Sequence, residues 1–279
     1  MTAAVGNVRS IEAEGSTFTF LEKGSGEALV LLHGVGSGAR SWVAQLDTLS
    51  AHCRVVAWDT PGYGGSSLLP MDEPGPDEYS DALRRLVDSL GIGRMHLVGH
   101  SLGALQAVRF AVRHPERILG LTLASPAAGH ARLPAGERIR LREARLSDLA
   151  ALGVAGMANK RGPRLLSDAA SDAQRKAVID TMSLLRPEGF TQAVKLLTVA
   201  DTRADLARLP LAMPVQFVYG EHDIVTPPAS ILEVASARPD IPVHVIAGAG
   251  HACYIEQPAA FDAILRSFIA RCAAAPGLA

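Results

Sequence analysis

The sequence predicts an α/β fold, a mostly parallel twisted sheet with helices on both faces. Three observations carry that expectation. Short, continuous apolar runs such as Ala28-Leu29-Val30-Leu31-Leu32 fit strands buried on both faces. From Val30 to Ala124 such runs alternate with helix-period stretches, the order that builds parallel strand–helix–strand units. The stretch Met95 to Ala104 passes from an apolar strand through Gly99-His100-Ser101-Leu102-Gly103 straight into a helix pattern.

Taken in order, Val8 to Ala13 and Thr17 to Glu22 read as two short strands joined at Gly15, a hairpin. Ala28 to Leu32 is the first buried strand. It ends in the glycine-rich loop His33-Gly34-Val35-Gly36-Ser37-Gly38, and Arg40 to Leu49 reads as a helix. Arg54 to Trp58 is the next strand and ends in Asp59-Thr60-Pro61-Gly62-Tyr63-Gly64-Gly65-Ser66. Asp77 to Leu90 places Tyr79, Leu83, Leu86, Val87 and Leu90 on one helical stripe. The helix after Ser101 is apolar nearly all round, with Gln106, Arg109 and Arg113 on one narrow face, so it is expected to be buried. Ile118 to Ala124 is a further strand.

From 126 to 209 no strand-like run occurs. Arg138 to Leu152, Asp172 to Leu185 and Glu188 to Val199 read as helices, so this stretch is a helical insertion. Alternation resumes with strand Val215 to Tyr219, helix Ala229 to Ala237, strand Val243 to Ile246 and a last helix over Pro258 to Arg271. The tail Ala273-Ala274-Ala275-Pro276-Gly277 is expected to fray.

Composition narrows the function classes. The 279 residues are 48% hydrophobic and 20% charged, with a formal net charge of -1, so neither nucleic acid nor an anionic membrane is an expected partner. Met1 to Ser10 lacks the apolar core of a secretory leader, and no apolar run has the length of a membrane span. Cys53, Cys253 and Cys272 show neither pairing nor metal spacing, which fits a reducing, cytoplasmic setting. A homo-oligomer is left open.

The chemistry centres on Ser101. A serine hydroxyl is a poor nucleophile at neutral pH and needs a histidine base oriented by a carboxylate. In open parallel sheets, reactive groups collect beyond the C-terminal strand ends. Asp223 directly follows the strand Val215 to Tyr219, and His251 follows Val243 to Ile246. Any one of the three could be an ordinary turn residue. Three in the order nucleophile, acid, base, each at a strand end, favour catalysis. Glu221 is the fallback acid. His100, His114, His222 and His244 read as structural or peripheral. An oxyanion needs two converging N–H donors. Leu102, at the start of the elbow helix, supplies one. Val35 is the second choice, with Gly36 close behind.

On these blocks the chain resembles the α/β-hydrolase superfamily over nearly its whole length. The resemblance implies that 1–125 and 210–279 form the hydrolase core and 126–209 a helical cap (lid) over the active site. It assigns the triad to Ser101, Asp223 and His251 and the oxyanion donors to Val35 and Leu102, as read above. No metal or organic cofactor is implied. Gly248-Ala249-Gly250-His251-Ala252-Cys253-Tyr254-Ile255-Glu256-Gln257-Pro258 is similar to the end of β-ketoadipate enol-lactonases, and Gly34 to Gly38 with Ser41-Trp42 to C–C hydrolases of meta-cleavage products. His100 stands where the latter usually carry asparagine, and the tryptophan often found just after their catalytic histidine is absent.

The insertion is rich in arginine: Arg138, Arg140, Arg142, Arg145, Arg161, Arg164, Arg175 and Arg186. Arg138, Arg142 and Arg145 share one helical face. Most such groups serve a solvated face. One turned inward would bind a substrate carboxylate with two bonds. Arg161 and Arg164, in a loop-like stretch with glycine and proline, are the expected substrate contacts, together with Gly36. The expected activity is hydrolysis of a small carboxylic ester or lactone, with a carboxylate-bearing substrate suited to an inward arginine. Hydrolytic C–C cleavage of a vinylogous diketone acid is the alternative. A ligand-binding protein with a slow or idle triad is the further one.

Overall fold

The computed structural model describes residues 8–274. The expectations for the leader and the fraying tail fall largely on residues outside that range. Eight strands form one sheet in the order β1-β2-β4-β3-β5-β6-β7-β8. They are β1 (Arg9–Ala13), β2 (Ser16–Lys23), β3 (Ala28–Leu32), β4 (Arg54–Trp58), β5 (Met95–His100), β6 (Ile118–Ala124), β7 (Val215–Gly220) and β8 (Val243–Ile246). The hairpin β1–β2 and the pair β2–β4 are antiparallel, and every other pair is parallel.

Apolar runs without alternation explain how both faces are covered. In β3, Val30 and Leu32 face one side, where they meet helices α2 (Pro76–Ser89) and α3 (Leu102–Arg113). Leu29 and Leu31 face the other, toward α1 (Val43–Leu49) and the C-terminal helix Pro258–Ala274. A polar residue on either face would be stranded away from water, so the strand reads as a solid apolar block.

Between β6 and β7 the chain forms α4 (Ala135–Arg161), α5 (Asp172–Met182), α6 (Pro187–Val199) and the short α7 (Thr202–Leu206). The first extends past the expected Arg138–Leu152 and is not straight. Gly153 sits at φ 63°, ψ 179°, outside helical space. Asp148 pairs with Lys160 at 2.8 Å and hydrogen-bonds Arg161 Nε at 2.9 Å across this point. Twelve residues of straight helix would separate such groups by about 18 Å, so the chain doubles back at Gly153. The expected Asp172–Leu185 helix stops at Met182. Helix α8 (Pro228–Ala235) follows β7. One turn of helix, α9 (Cys253–Glu256), precedes α10, the helix Pro258–Ala274. Like α7, α9 is too short to leave a periodic signal. Among the described residues no helix is long and apolar enough to cross a membrane.

Candidate active site

The elbow is built by close approach. A side chain on Gly99 would place its Cβ 2.3 Å from the Gly103 carbonyl oxygen, and one on Gly103 would meet the Leu32 carbonyl at 2.4 Å. Only glycine at both positions lets α3 start so tightly on β5. Ser101, between them, is held at φ 54°, ψ −113°. That conformation costs of order 1–3 kcal/mol and persists only where the surroundings impose it. It is imposed here by the buried strand behind and the buried helix ahead.

Asp223 and His251 leave the neighbouring strand ends. The Nδ1–H of His251 donates to Asp223 Oδ2 at 2.8 Å, with His251 and Asp223 each 2% exposed. This pairing leaves Nε2 of His251 free to accept a proton. Asp223 is fully engaged. Its Oδ1 accepts the N–H groups of Val225 (2.9 Å) and Thr226 (2.8 Å), and its Oδ2 also accepts the Thr226 hydroxyl (2.8 Å). Burial alone would raise this carboxyl. The His251 hydrogen bond and charge and the Thr226 donors outweigh burial and hold it below the ordinary carboxylate range. Thr226 has a sequence signal in hindsight. A threonine three residues past an aspartate is the spacing of a local side-chain turn.

His100 lies beside the base, its ring 4.7 Å from that of His251. Its Nε2–H donates to the His251 carbonyl at 3.0 Å. Burial first, then the neighbouring His251, push the His100 ring down to about 3, so it stays neutral. Glu256 clamps the same loop to the helical segment. Its carboxylate accepts Gly250 N–H (2.6 Å) and the Ser167 hydroxyl (2.6 Å), while Ala252 N–H donates to Leu165 (2.7 Å).

A cavity of about 350 Å³ gathers most of the predicted residues. Ser101, His251, Val35, Gly36, Leu102, Arg161 and Arg164 line it, and Asp223 stands behind His251. Glu221 is elsewhere, accepting Gly248 N–H at 3.0 Å on the surface. Helical residues Met157, Met182 and Phe190 add an apolar wall. All three charged lining residues are arginines, and among the described residues no aspartate or glutamate lines the cavity. The guanidinium of Arg161 is already paired with Asp148. Arg164 is exposed. Arg145 of α4, half-buried, also lines the cavity, and among the described residues no carboxylate pairs with it. Burial and the charges of Arg161 and Arg164 lower its affinity for a proton. Among the described residues no cluster of His, Cys, Asp or Glu could hold a metal.

A serine on a strained strand-to-helix turn, with an Asp–His pair beyond the next strands of a parallel sheet, defines the α/β-hydrolase class. The chain belongs to that family: the family profile described as alpha/beta hydrolase fold matches residues 27–258. It is 30% identical over 262 residues, 88% of each chain, to a 2-hydroxy-6-oxononadienedioate/2-hydroxy-6-oxononatrienedioate hydrolase of Burkholderia vietnamiensis. It is 39% identical over 109 residues to a 2-hydroxy-6-oxo-6-phenylhexa-2,4-dienoate hydrolase of Comamonas testosteroni, a match spanning 38% of each chain. Among solved structures, a thermophilic esterase of Thermogutta terrifontis superposes with a TM-score of 0.85 at 24% identity, covering 96% of this chain and 99% of that one. The protein is a hydrolase of this fold.

Proposed function

We propose that this hydrolase works through an acyl-enzyme on Ser101 and cleaves a small, carboxylate-bearing ester or lactone. The observation that carries the reading is the buried Asp223–His251 pair beside a strained Ser101 on one cavity wall. In the proposed cycle, His251 Nε2 takes the Ser101 proton as the hydroxyl oxygen attacks the carbonyl carbon. The N–H groups of Val35 and Leu102 receive the oxyanion. The Leu102 N–H is unpaired within α3 because it opens the helix. Collapse breaks the C–O bond and His251 protonates the leaving alkoxide. Water, deprotonated by His251, then attacks the acyl carbon and frees Ser101 and the acid. No step calls for a metal or organic cofactor.

We read the helical segment 126–209 as the cap, since its residues complete the cavity wall. Within it Arg145 is the substrate-carboxylate anchor we favour over Arg161, whose charge Asp148 already answers. Arg164 is its neighbour in that role. Gly162 and Pro163 point from sequence to Arg161 and Arg164, and nothing in the sequence says that Asp148 turns to the far arm of a doubled-back helix. The cavity volume fits a small ligand.

Hydrolytic C–C cleavage is the second reading. It is favoured by the relative that is 30% identical over 88% of each chain and carries that type of name. His100 and Ala252 weigh against it on the motif grounds given above. The deciding experiment compares monomethyl succinate and a small enol-lactone with a dienoate ring-cleavage product, on wild type and Ser101→Ala. Turnover of ester or lactone alone supports the leading reading, and faster loss of the dienoate reverses the order. If wild type neither turns over any of them nor takes a fluorophosphonate on Ser101, the catalytic reading is wrong and a binding role stands.

A further inference from the structure

The loop after β3 is five residues long from Gly34 to Gly38, and three of the five are glycine. Such a loop has little of its own to fix which way its peptide planes face. A trans peptide points its C=O and the following N–H in opposite directions, and no cis bond occurs among the described residues. The direction of each donor is therefore set by whatever holds the carbonyl on the other side. The Gly34 carbonyl lies 2.8 Å from His33 Nδ1 and 3.2 Å from Ser37 N–H, which turns the Val35 N–H the other way. The His33 tautomer follows from its other nitrogen, which accepts Thr60 N–H at 3.1 Å.

The next peptide is held differently. The Val35 carbonyl accepts the hydroxyl of Tyr63 at 2.7 Å. Tyr63 comes from the loop after β4, is 2% exposed and rests its ring on His33 with centroids 4.9 Å apart. Val35 and Gly36 line the cavity and Tyr63 does not. The carbonyl thus points out of the site into the protein, and the Gly36 N–H faces inward. We infer that the Gly36 N–H joins Val35 and Leu102 as an oxyanion donor and that Tyr63 is its positioning residue: its hydroxyl locks the Val35–Gly36 peptide with the Gly36 donor toward Ser101. Without that bond, Gly36 imposes no barrier to a peptide flip. A flipped plane would put the Val35 carbonyl, an acceptor, where the developing oxyanion needs donors. Burial keeps the phenol far above its ordinary titration range, so it remains a donor at any working pH.

The inference rests on the serine-hydrolase reading above, and its test separates the two. Wild type, Tyr63→Phe and a Tyr63→p-aminophenylalanine variant are assayed with p-nitrophenyl butyrate. Inhibition is measured with a trifluoromethyl ketone, which forms the tetrahedral oxyanion on serine, and with the matching secondary alcohol, which does not. Tyr63→Phe should lose roughly tenfold in kcat, a fraction of the ~100-fold or more that deleting a whole oxyanion donor costs. It should lose the same factor in affinity for the ketone and under twofold for the alcohol. The p-amino variant keeps an N–H donor of the same reach and should recover most of both. Ketone affinity unchanged in Tyr63→Phe, or ketone and alcohol weakened equally, overturns the inference. If the phenylalanine variant does not fold, p-fluorophenylalanine against p-aminophenylalanine makes the same comparison at matched size. A wild type silent toward ester and ketone sinks the ester reading and this one with it.

Discussion

Two walls of one cavity are built on opposite principles. On the strand-end wall Asp223 and His251 are held by named partners. Asp223 accepts from Val225, Thr226 and His251, and the His251 carbonyl accepts from His100. On the helical wall the charges are loosely held. Arg145 has no paired carboxylate among the described residues, Arg161 shares Asp148 with Lys160, and α4 is broken at Gly153. Chemistry needs groups fixed to a fraction of an ångström before substrate arrives. Recognition can leave a charge waiting for the ligand to complete it. The first wall should therefore govern kcat for every substrate, and the second should sort substrates by charge.

The sharpest way to break this division is to remove the nucleophile. Ser101→Ala should lower kcat by roughly 10⁶-fold, with the fold and ligand affinity unchanged. Asp223→Asn should cost about 10⁴-fold, because an amide holds the wrong tautomer of His251. Steady-state rates on one neutral and one anionic ester check both. If either loss differs between the two esters, the strand-end wall is also reading charge and the division fails.

Arg145→Met tests the other wall. A charge-assisted bond to a desolvated carboxylate is worth about 1.5–3 kcal/mol, so KM for monomethyl succinate should rise roughly 10- to 100-fold. KM for methyl butyrate should stay within twofold. Arg161→Met should do less, since its charge is already shared with Asp148 at the same site. A larger effect at Arg161 would restore the choice made from sequence.

That choice marks the limit of what residue order can say. The placement of Ser101, Asp223 and His251 at strand ends was legible because backbone features announce it: glycines that permit a close approach, and strand ends that the apolar runs define. The six parallel core strands and the helical insertion followed from the same runs. Arg145 was visible only as one of three arginines on a helical face. What makes it the anchor we propose is the reversal at Gly153, which brings Asp148 to Arg161, and no local pattern encodes that pairing. Tyr63 and Glu256 were silent for a similar reason. Tyr63 reaches Val35 and Glu256 reaches Ser167, both far away in sequence, and contacts of that kind leave no periodicity.

A pH titration separates the walls by their protons. His100 is neutral in the fold down to about 3, whereas an unfolded histidine takes its proton near 6.5. Between these values the unfolded chain binds the extra proton, so stability is full above pH 6.5 and falls as pH drops below it. The slope from this one group is about 1.4 kcal/mol per pH unit. His100→Asn should remove that share between pH 6.5 and 5, measured by denaturant unfolding at each pH. The slope is the readout, because the substitution also changes packing at neutral pH. An unchanged slope would mean that the other histidines pushed down by burial, His33, His96, His114, His130 and His244, carry the histidine share of the acid limb.

The smallest effect falls on the helical wall. Gly153→Ala meets no atom within 4 Å of the new Cβ, so space does not oppose it. Only the backbone does, since φ 63° with ψ 179° lies in a region essentially confined to glycine and disfavours any side chain by roughly 1–3 kcal/mol. The variant should keep its core stability and its kcat on methyl butyrate. If the reversal of α4 is what frees Arg145 by drawing Asp148 to Arg161, straining the turn should loosen that pairing first. KM for monomethyl succinate should then rise a few-fold while methyl butyrate is unaffected. Equal changes for both esters would show that Gly153 shapes the whole cavity rather than its charged corner, and that the two walls are less separable than their hydrogen bonds imply.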